Sequence, residues 1–168
     1  MRTLRYCRIV TMLTLILVPS NARAGDLAVL FGLGTVNGPR PAVSWAIGHA
    51  PAAVGFEIEY LGMWGGTSTD RSSAGGIFGS VIVQREMVAN LQPFAIVGFG
   101  MWGESFDDGG TGVVGAKDIG GGIKVRMTRR LRLRLDYRLF LIGDSTDGSR
   151  LPSTTRPQRI SAGLHVAF

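Results

Sequence analysis

The sequence predicts an all-β fold: an eight-stranded antiparallel up-and-down transmembrane β-barrel, preceded by a cleaved signal peptide. Many segments alternate apolar and polar residues with a period of two, and helical periodicity is absent after residue 25. No apolar run after that point reaches the ~18 residues of a membrane-spanning helix. The clearest alternation is in 131–141, where five leucines and Tyr137 share one face and three arginines share the other with Asp136. Such a strand fits a wall between hydrocarbon and a polar interior.

The first 24 residues match the three-part pattern of a secretory signal peptide. A start with three arginines leads into ten apolar residues, 9–18. Ala22 and Ala24 then place small residues at the two positions that signal peptidase reads. We therefore expect cleavage after Ala24 and a single outer-membrane barrel domain over 25–168.

Removing this segment changes the charge and the cysteine content of the chain. The full sequence has 18 Lys and Arg against 12 Asp and Glu. Four of the arginines lie in the first 24 residues, which leaves 14 basic against 12 acidic residues, a net charge of +2. This small excess does not indicate a nucleic-acid partner. The single cysteine, Cys7, also leaves, so neither disulfides nor thiol catalysis is expected.

The first four strands are predicted over 27–35, 42–48, 53–63 and 75–84. Each has an apolar face of period two, formed in turn by Leu27, Val29, Phe31 and Leu33; Val43, Trp45 and Ile47; Val54, Phe56, Ile58 and Tyr60; and Ile77, Val81 and Val83. In the third strand the opposite face carries Glu57 and Glu59, so one face is apolar and the other is charged.

The last four strands are predicted over 91–102, 112–127, 131–142 and 158–168. Their apolar faces contain Val97, Phe99 and Met101; Val113, Ile119, Ile123, Val125 and Met127; the leucines of 131–141; and Ile160, Leu164, Val166 and Phe168. The eighth strand ends the chain on an aromatic residue that continues this alternation, with Arg159 and His165 on the other face.

The predicted connections alternate in length. Short ones cover 49–52, 85–90 and 128–130, and longer polar ones cover 64–74, 103–111 and 143–157, with 36–41 a shorter member of the long set. Outer-membrane barrels have short periplasmic turns and longer outer loops. With both termini in the periplasm, all the longer connections would lie on the outer side.

Three segments carry a resemblance to a known family: PFAIVGFG at 93–100, DIGGGIKVRMTRRLRLRLDYRLF at 118–140 and SAGLHVAF at 161–168. The chain resembles the small eight-stranded outer-membrane barrels, namely the OmpA-like transmembrane domain, the OmpX-like proteins and the opacity-type surface antigens. The resemblance implies the outer membrane of a Gram-negative bacterium, contact with its lipid and lipopolysaccharide, and a monomer. It also implies that the barrel assembly machinery reads the C-terminal strand through Phe168. Peptidoglycan anchoring is not expected, because no domain like the one that follows the OmpA barrel is present.

The polar faces predict the contents of the lumen. The inward set is Glu57, Glu59, Asp118, Lys124, Arg126, Arg132, Arg134, Asp136, Arg138, Arg159 and His165. Side chains just fill the interior of an eight-stranded barrel, so these charges should meet across it. We expect an ion-pair network in which Glu57 and Glu59 face the arginines of 132–138; the alternative is a narrow ion path.

Catalytic, cofactor and metal sites are not indicated. A serine hydrolase needs serine, histidine and an acid within hydrogen-bond reach, and only His49 and His165 are available. Ser161 lies four residues before His165, ~13 Å away along a strand. His49 is expected in a solvated turn. The sequence thus predicts a structural or surface-exposed, non-catalytic barrel whose outer loops contact the environment or a host. The alternatives are a soluble exported lipocalin-like barrel that binds a small apolar ligand, a lipid A-modifying enzyme and a narrow pore.

Overall fold

Eight antiparallel strands close into one barrel, each paired with its neighbours in sequence, and β8 paired with β1. The computed structural model describes residues 25–36, 38–65, 71–85, 88–106, 110–143 and 156–168. The strands are β1 Asp26–Thr35, β2 Pro39–His49, β3 Val54–Trp64, β4 Arg71–Gln84, β5 Leu91–Phe106, β6 Thr111–Arg126, β7 Leu131–Ile142 and β8 Gln158–Ala167. In these ranges no helix is long and apolar enough to cross a membrane. The predicted signal peptide and its cleavage site lie outside the described residues.

Alternation along each strand separates an apolar outer face from a polar inner face. On β3, Phe56 and Ile58 are 55% and 51% exposed, whereas Glu57 and Glu59 are 5% and 0% exposed. A protein that folds in water buries its apolar side chains, so this distribution is inverted. It suits a wall whose outer face is solvated by hydrocarbon and whose backbone groups are all paired by closure. The lipocalin-like alternative requires the opposite orientation of the two faces and is therefore wrong.

Strand bounds agree with the prediction for β7, whereas β4 begins four residues earlier and β5 ends four residues later than predicted. The hairpin of β5 and β6 extends through Gly103, which pairs with Val113, and through Glu104, which pairs with Gly112. Polar residues and glycines made this segment look like a long connection over 103–111, but only 107–110 lies between the two strands. Polar composition marks the end of the apolar band here and does not mark the end of the strand.

The two ends of the barrel are defined by their connections. The turn end carries both described termini and the connections 50–53, 85–90 and 127–130. The loop end carries the connections 36–38, 65–70, 107–110 and 143–157. The prediction of a regular short and long alternation is therefore wrong for 36–41, 64–74 and 103–111. At the loop end the strands themselves extend further, and 143–157 stays long.

Inward side chains change character along the barrel axis. On β3 the charged Glu57 and Glu59 are followed by Leu61 and Met63 toward the loop end, all buried. Strand β7 makes the same change, from Arg138 to Phe140, so a charged layer lies next to an apolar one on its loop-end side. We call the apolar layer the outer plug, and its buried members are Val36, Ala42, Leu61, Met63, Ala74, Phe78, Trp102, Val114, Ala116, Phe140 and Ile142.

Closure at the turn end involves the last residue of the chain. Gly25 and Phe168 exchange two backbone hydrogen bonds, each 2.9 Å long, which extend the β1–β8 ladder by one pair. Gly25 also leaves room for the Phe168 ring, because a Cβ at position 25 would lie 2.6 Å from it. The final strand is thus paired along its whole length.

Candidate functional site: the charged lumen

Seven buried charged side chains meet in the middle of the barrel. All project from inward positions and all are 5% exposed or less. We call this group the lumen cluster, and its members are Glu57, Glu59, Asp118, Arg134, Asp136, Arg138 and Arg159. Side chains from β3, β6, β7 and β8 therefore meet across the interior, which ties opposite walls of the barrel together.

Arg138 is the centre of the lumen cluster because it contacts all four acids. Its Nη2 donates to Glu57 Oε1 at 2.6 Å, its Nη1 donates to Asp118 Oδ2 at 2.7 Å, and its Nε donates to Asp136 Oδ1 at 3.2 Å. Nη1 also lies 3.0 Å from Glu59 Oε2, without hydrogen-bond geometry. A planar guanidinium with five donors suits such a site, which an ammonium group could not satisfy in the same way.

Two further arginines complete the lumen cluster on either side of Arg138. Arg134 Nη1 lies 2.5 Å from Glu57 Oε2, and its Nη2 lies 2.6 Å from Asp136 Oδ2. Arg159 Nη1 lies 2.5 Å from Glu59 Oε1, and its Nη2 lies 3.3 Å from Asp136 Oδ1. Each acid of β3 is therefore shared by two arginines. Sharing compensates for the desolvation of these charges, provided that every partner is present.

Three of the residues predicted for the network do not join these ion pairs. Lys124 donates to Gln84 Oε1 at 3.0 Å, and Arg132 donates to Gln92 Oε1 at 3.2 Å. Arg126 is exposed at the end of β6. Within the described part of the chain none of the three has an acidic partner. All three lie toward the turn end of the barrel, beyond the four acids of the lumen cluster, and their ion pairs stay a prediction.

An aromatic ring borders the lumen cluster on its turn-end side. Lys124 Nζ lies 5.5 Å from the centroid of the Phe94 ring, and Arg134 Cζ lies 4.8 Å from the same centroid. Cations over an aromatic face are stabilised most where water is excluded. Phe94 therefore supports two positive charges that lie on neighbouring strands.

Two uncharged polar residues of the lumen were not predicted as hydrogen-bond partners from the sequence. Ser80 donates to Asp118 Oδ1 at 3.2 Å, and Gln84 donates to the carbonyl oxygens of Ala50 and Ala52 at 3.0 and 2.9 Å. Both lie on the inward face of β4, so alternation already marked their positions. Because they are uncharged, they were not recognised as partners of the charged residues.

Arg40 was missed for a different reason. It was predicted in a connection, but β2 begins at Pro39, so Arg40 takes an inward position near the loop end. The side chain is 0% exposed, and no described residue accepts a hydrogen bond from its three nitrogens. Flanking prolines concealed the alternation of Arg40, Ala42 and Ser44.

A glycine makes room for one contact of the lumen cluster. Gly98 faces inward on β5 opposite Asp118 on β6. A Cβ at this position would overlap the Ser80 hydroxyl and the Asp118 carboxylate. The absence of a side chain at Gly98 thus relieves crowding where Ser80 and Asp118 enter the lumen.

Aromatic side chains form the centre of the outer plug. The Phe140 ring lies 5.0 Å from the Phe78 ring and 5.4 Å from the Trp102 ring, and the interplanar angles are 45° and 43°. Trp102 also donates to Glu104 Oε1 at 3.1 Å. All three rings are fully buried. They separate the lumen cluster from the loop end.

The structure places the candidate pair on β8, His165 and Ser161, without a hydrogen bond between them. His165 is 2% exposed, and its Nε2 lies 3.7 Å from Asp26 Oδ1. Neither Ser161 Oγ nor His165 Nδ1 has a hydrogen-bond partner. His49 is half-buried in β2, with its ring 6.1 Å from that of Phe56, so the predicted solvated turn position is wrong. Among the residues that the structure describes, no group of three or more His, Cys, Asp and Glu could hold a metal ion.

The architecture is that of the eight-stranded outer-membrane barrels. Neisserial surface protein A (NspA) superposes with a TM-score of 0.69 at 15% identity, over 86% of this chain and 96% of that chain. The N-terminal β-barrel domain of Pseudomonas aeruginosa OprF gives a TM-score of 0.66 at 12% identity, over 87% and 98%. These similarities confirm the predicted fold class and the structural resemblance. At such low identity they are similarities of fold.

The same fold also occurs in an enzyme. The outer membrane enzyme PagL superposes with a TM-score of 0.50 at 9% identity, over 84% of this chain and 98% of that chain. Fold alone therefore does not decide whether an eight-stranded barrel is catalytic. No protein-family model and no curated protein sequence matches this chain.

Proposed function

We propose that this protein is a non-catalytic outer-membrane barrel that acts through its loop end, with a lumen closed by the lumen cluster and the outer plug. The inverted burial of the wall carries the proposal. Phe31, Phe99 and Ile160 are 61%, 76% and 63% exposed on the outside, whereas Arg134 and Arg138 are fully buried inside. Only hydrocarbon solvates such an outer face well.

The contents of the lumen support a closed barrel rather than an ion path. Glu57 and Glu59 are each shared by two arginines, and the aromatic residues of the outer plug pack between these charges and the loop end. A conducting path needs charged sites that an ion can enter and leave. Charges that are already paired and covered by apolar rings do not provide this.

The environment of the barrel follows from its location. The outer face contacts outer-membrane lipid and lipopolysaccharide of a Gram-negative bacterium, and the loop end contacts the environment or a host surface. The barrel assembly machinery reads β8 through Phe168, and the folded protein is a monomer without a nucleic-acid partner or cofactor. Support comes from the surface location that the name of NspA states and from the full pairing of the terminal strand.

The first test is envelope fractionation combined with gels of unboiled and boiled samples. We expect the protein in the outer-membrane fraction, and we expect the unboiled, folded form to migrate differently from the boiled form. A protein recovered from the soluble periplasmic fraction without a second band would contradict the proposal.

A conductance measurement tests the closed lumen. Planar bilayers containing the folded protein should show no steady channel activity. Arg134→Gln should lower the thermal stability of the barrel and leave the conductance unchanged. A variant that conducts differently at unaltered thermal stability would favour the ion path.

A separate test addresses catalysis. Mass spectrometry of lipid A from cells with and without the protein should give the same acylation pattern. If the wild-type protein adds or removes an acyl chain and the His165→Gln variant does not, the protein is an enzyme.

A further inference from the structure

We propose that the turn between β6 and β7 binds the phosphate headgroup of an anionic phospholipid in the membrane leaflet at the turn end. The inference rests on the membrane location in the proposed function and adds a ligand to it. Arg126, Arg129 and Arg130 are all exposed, so three guanidinium groups lie within five consecutive residues of the rim. A phosphate oxygen accepts two parallel hydrogen bonds from a guanidinium group, which makes arginine the preferred partner.

Backbone and side-chain hydrogen bonds fix the shape of this turn. Met127 N and Thr128 N both donate to Leu131 O at 3.0 Å, and Leu131 N donates to Thr128 Oγ1 at 3.0 Å. Arg130 O accepts from Ala167 N of the last strand at 2.9 Å. The turn is thus anchored both within itself and to β8, so its arginines project from a fixed backbone.

The preceding strand end is anchored as well. Arg126 N donates to Asn90 O at 2.9 Å, which joins the 127–130 connection to the neighbouring 85–90 connection. A fixed backbone lowers the entropy that is lost when a ligand orders the side chains.

The arginines lie where the apolar wall ends. Met127 is 59% exposed, and Leu91 and Val166 on neighbouring strands are 48% and 38% exposed. These residues belong to the outward, lipid-facing set. Arginine side chains beside such a surface extend their guanidinium groups to the interface, which is the depth of phospholipid headgroups.

Among the described residues, few acids lie near this rim. None of the three arginines forms an ion pair with a described acid, the four acids of the lumen cluster pair with Arg134, Arg138 and Arg159, and Asp26 lies 3.7 Å from His165 Nε2. The sequence of the three connections at this end contains one acid, Glu86. The rim therefore carries net positive charge that is available to an anion.

Position favours a lipid headgroup over other anions. A soluble phosphate would gain nothing from the adjoining apolar surface. Peptidoglycan lies beyond the membrane surface, whereas Met127 places the arginines at the edge of the hydrocarbon. A phospholipid uses both features, because its chains cover the apolar residues while its phosphate meets the guanidinium groups.

Native mass spectrometry of the folded full-length protein tests this inference. Detergent-released protein is titrated with phosphatidylglycerol, with phosphatidylethanolamine and with inorganic phosphate. We expect one phosphatidylglycerol to be retained in preference to phosphatidylethanolamine. The double variant Arg129→Gln/Arg130→Gln should weaken phosphatidylglycerol binding about thirtyfold, given the typical attraction of two surface arginines to anionic lipid.

The matched control removes two charges elsewhere. Lys117→Gln/Arg156→Gln alters two exposed cations outside the turn end and should retain phosphatidylglycerol like the wild type. Gels of unboiled samples verify that both double variants are folded. If both double variants lose the same amount of phosphatidylglycerol binding, the loss reflects net charge alone, and the proposed site is overturned.

Other outcomes also decide the matter. Competition by inorganic phosphate alone, or equal retention of both lipids by the wild type, would overturn the inference. Binding of soluble peptidoglycan fragments that depends on Arg129 and Arg130 would assign the turn to a different partner. The proposed function fails on different evidence, a soluble fraction without a folded band, so the two failures are distinguishable.

Discussion

The lumen cluster and the outer plug are two adjacent layers of one interior, and strands β3, β6 and β7 contribute to both. β3 contributes Glu57 to the first and Leu61 to the second, and β7 contributes Arg138 to the first and Phe140 to the second. The alternation along each strand makes these side chains face inward, but it does not determine whether they are charged or apolar. That property changes along the barrel axis: the charged side chains lie in the middle, and the aromatic rings of the outer plug lie toward the loop end.

The lumen cluster and the outer plug also differ in how much stability the barrel loses when one of their side chains is removed. Removing one buried ion leaves its partners desolvated and uncompensated, at a cost of about 3–5 kcal/mol. Removing an apolar side chain leaves a cavity, and the cost then depends on how far the neighbours relax. A single substitution in the lumen cluster should therefore always cost much stability, whereas the cost of a substitution in the outer plug should vary with the size of the cavity that remains.

The largest effect should come from the centre of the lumen cluster. Arg138→Met leaves four acids short of one guanidinium, so we expect a loss of about 3–5 kcal/mol in the free energy of unfolding. Urea unfolding in detergent micelles, followed by tryptophan fluorescence, measures it. A loss below about 1 kcal/mol, the size of one neutral hydrogen bond, would contradict this account.

The next effect lies in the outer plug. Phe140→Ala removes a ring that contacts both Phe78 and Trp102, and we expect a loss of about 3 kcal/mol that does not depend on pH. The same unfolding measurement applies. Leu141→Ala is the matched control on the outward face, where lipid or detergent fills the space, and it should cost clearly less. Equal costs would mean that the rings are not packed as a unit.

A smaller loss of stability is expected at Gly98, the glycine that lies against the lumen cluster. Gly98→Ala places a methyl group against Ser80 and Asp118, and overpacking of this kind costs about 1–3 kcal/mol. Thermal shifts of the unboiled band on gels measure it. Gly115→Ala on β6 has no atom within 4 Å of the added group and should be neutral. Neutral results for both variants would show that Asp118 can move freely.

The smallest effect concerns the turn-end neighbour of the lumen cluster. Lys124→Met removes a charge that is held by Gln84 and the Phe94 ring and has no described acidic partner. We expect a loss of about 1 kcal/mol, because one neutral hydrogen bond is lost and no acid is left unpaired. Urea midpoints of the variant and of Arg138→Met compare the two cations directly. A loss as large as that of Arg138→Met would extend the lumen cluster to Lys124.

Sequence reasoning reached the fold because period two is a local property. Eleven alternating residues in β7 define two faces without knowledge of the partners, and pairing then follows from the order of the strands. The lipid-facing and lumen-facing sets of β3 followed in the same way. Each strand on its own therefore predicts the fold class, a barrel with an apolar outer face and a polar lumen.

Contacts across the lumen could not be predicted to the same degree. Whether an inward charge meets an acid depends on the stagger of the strands, which no single strand reveals. Arg138 and Arg132 look equivalent in the sequence, yet only the first reaches the acids of β3. The outer plug was missed because an inward leucine or phenylalanine has no charge to draw attention to its face. The proposed absence of catalysis stays a prediction.

The pairing of Gly25 with Phe168 has a consequence for topology. Because Gly25 and Phe168 are joined by two hydrogen bonds, a short linker could connect them without disturbing the ladder. A circularly permuted chain, opened within 127–130 instead, would keep all eight strands and their register but would place Phe168 in the interior of the sequence. Such a molecule separates closure of the barrel from the proposed assembly signal at Phe168. If it folds in vesicles but is not inserted in cells, the end of the polypeptide acts as an address, independently of the geometry it completes.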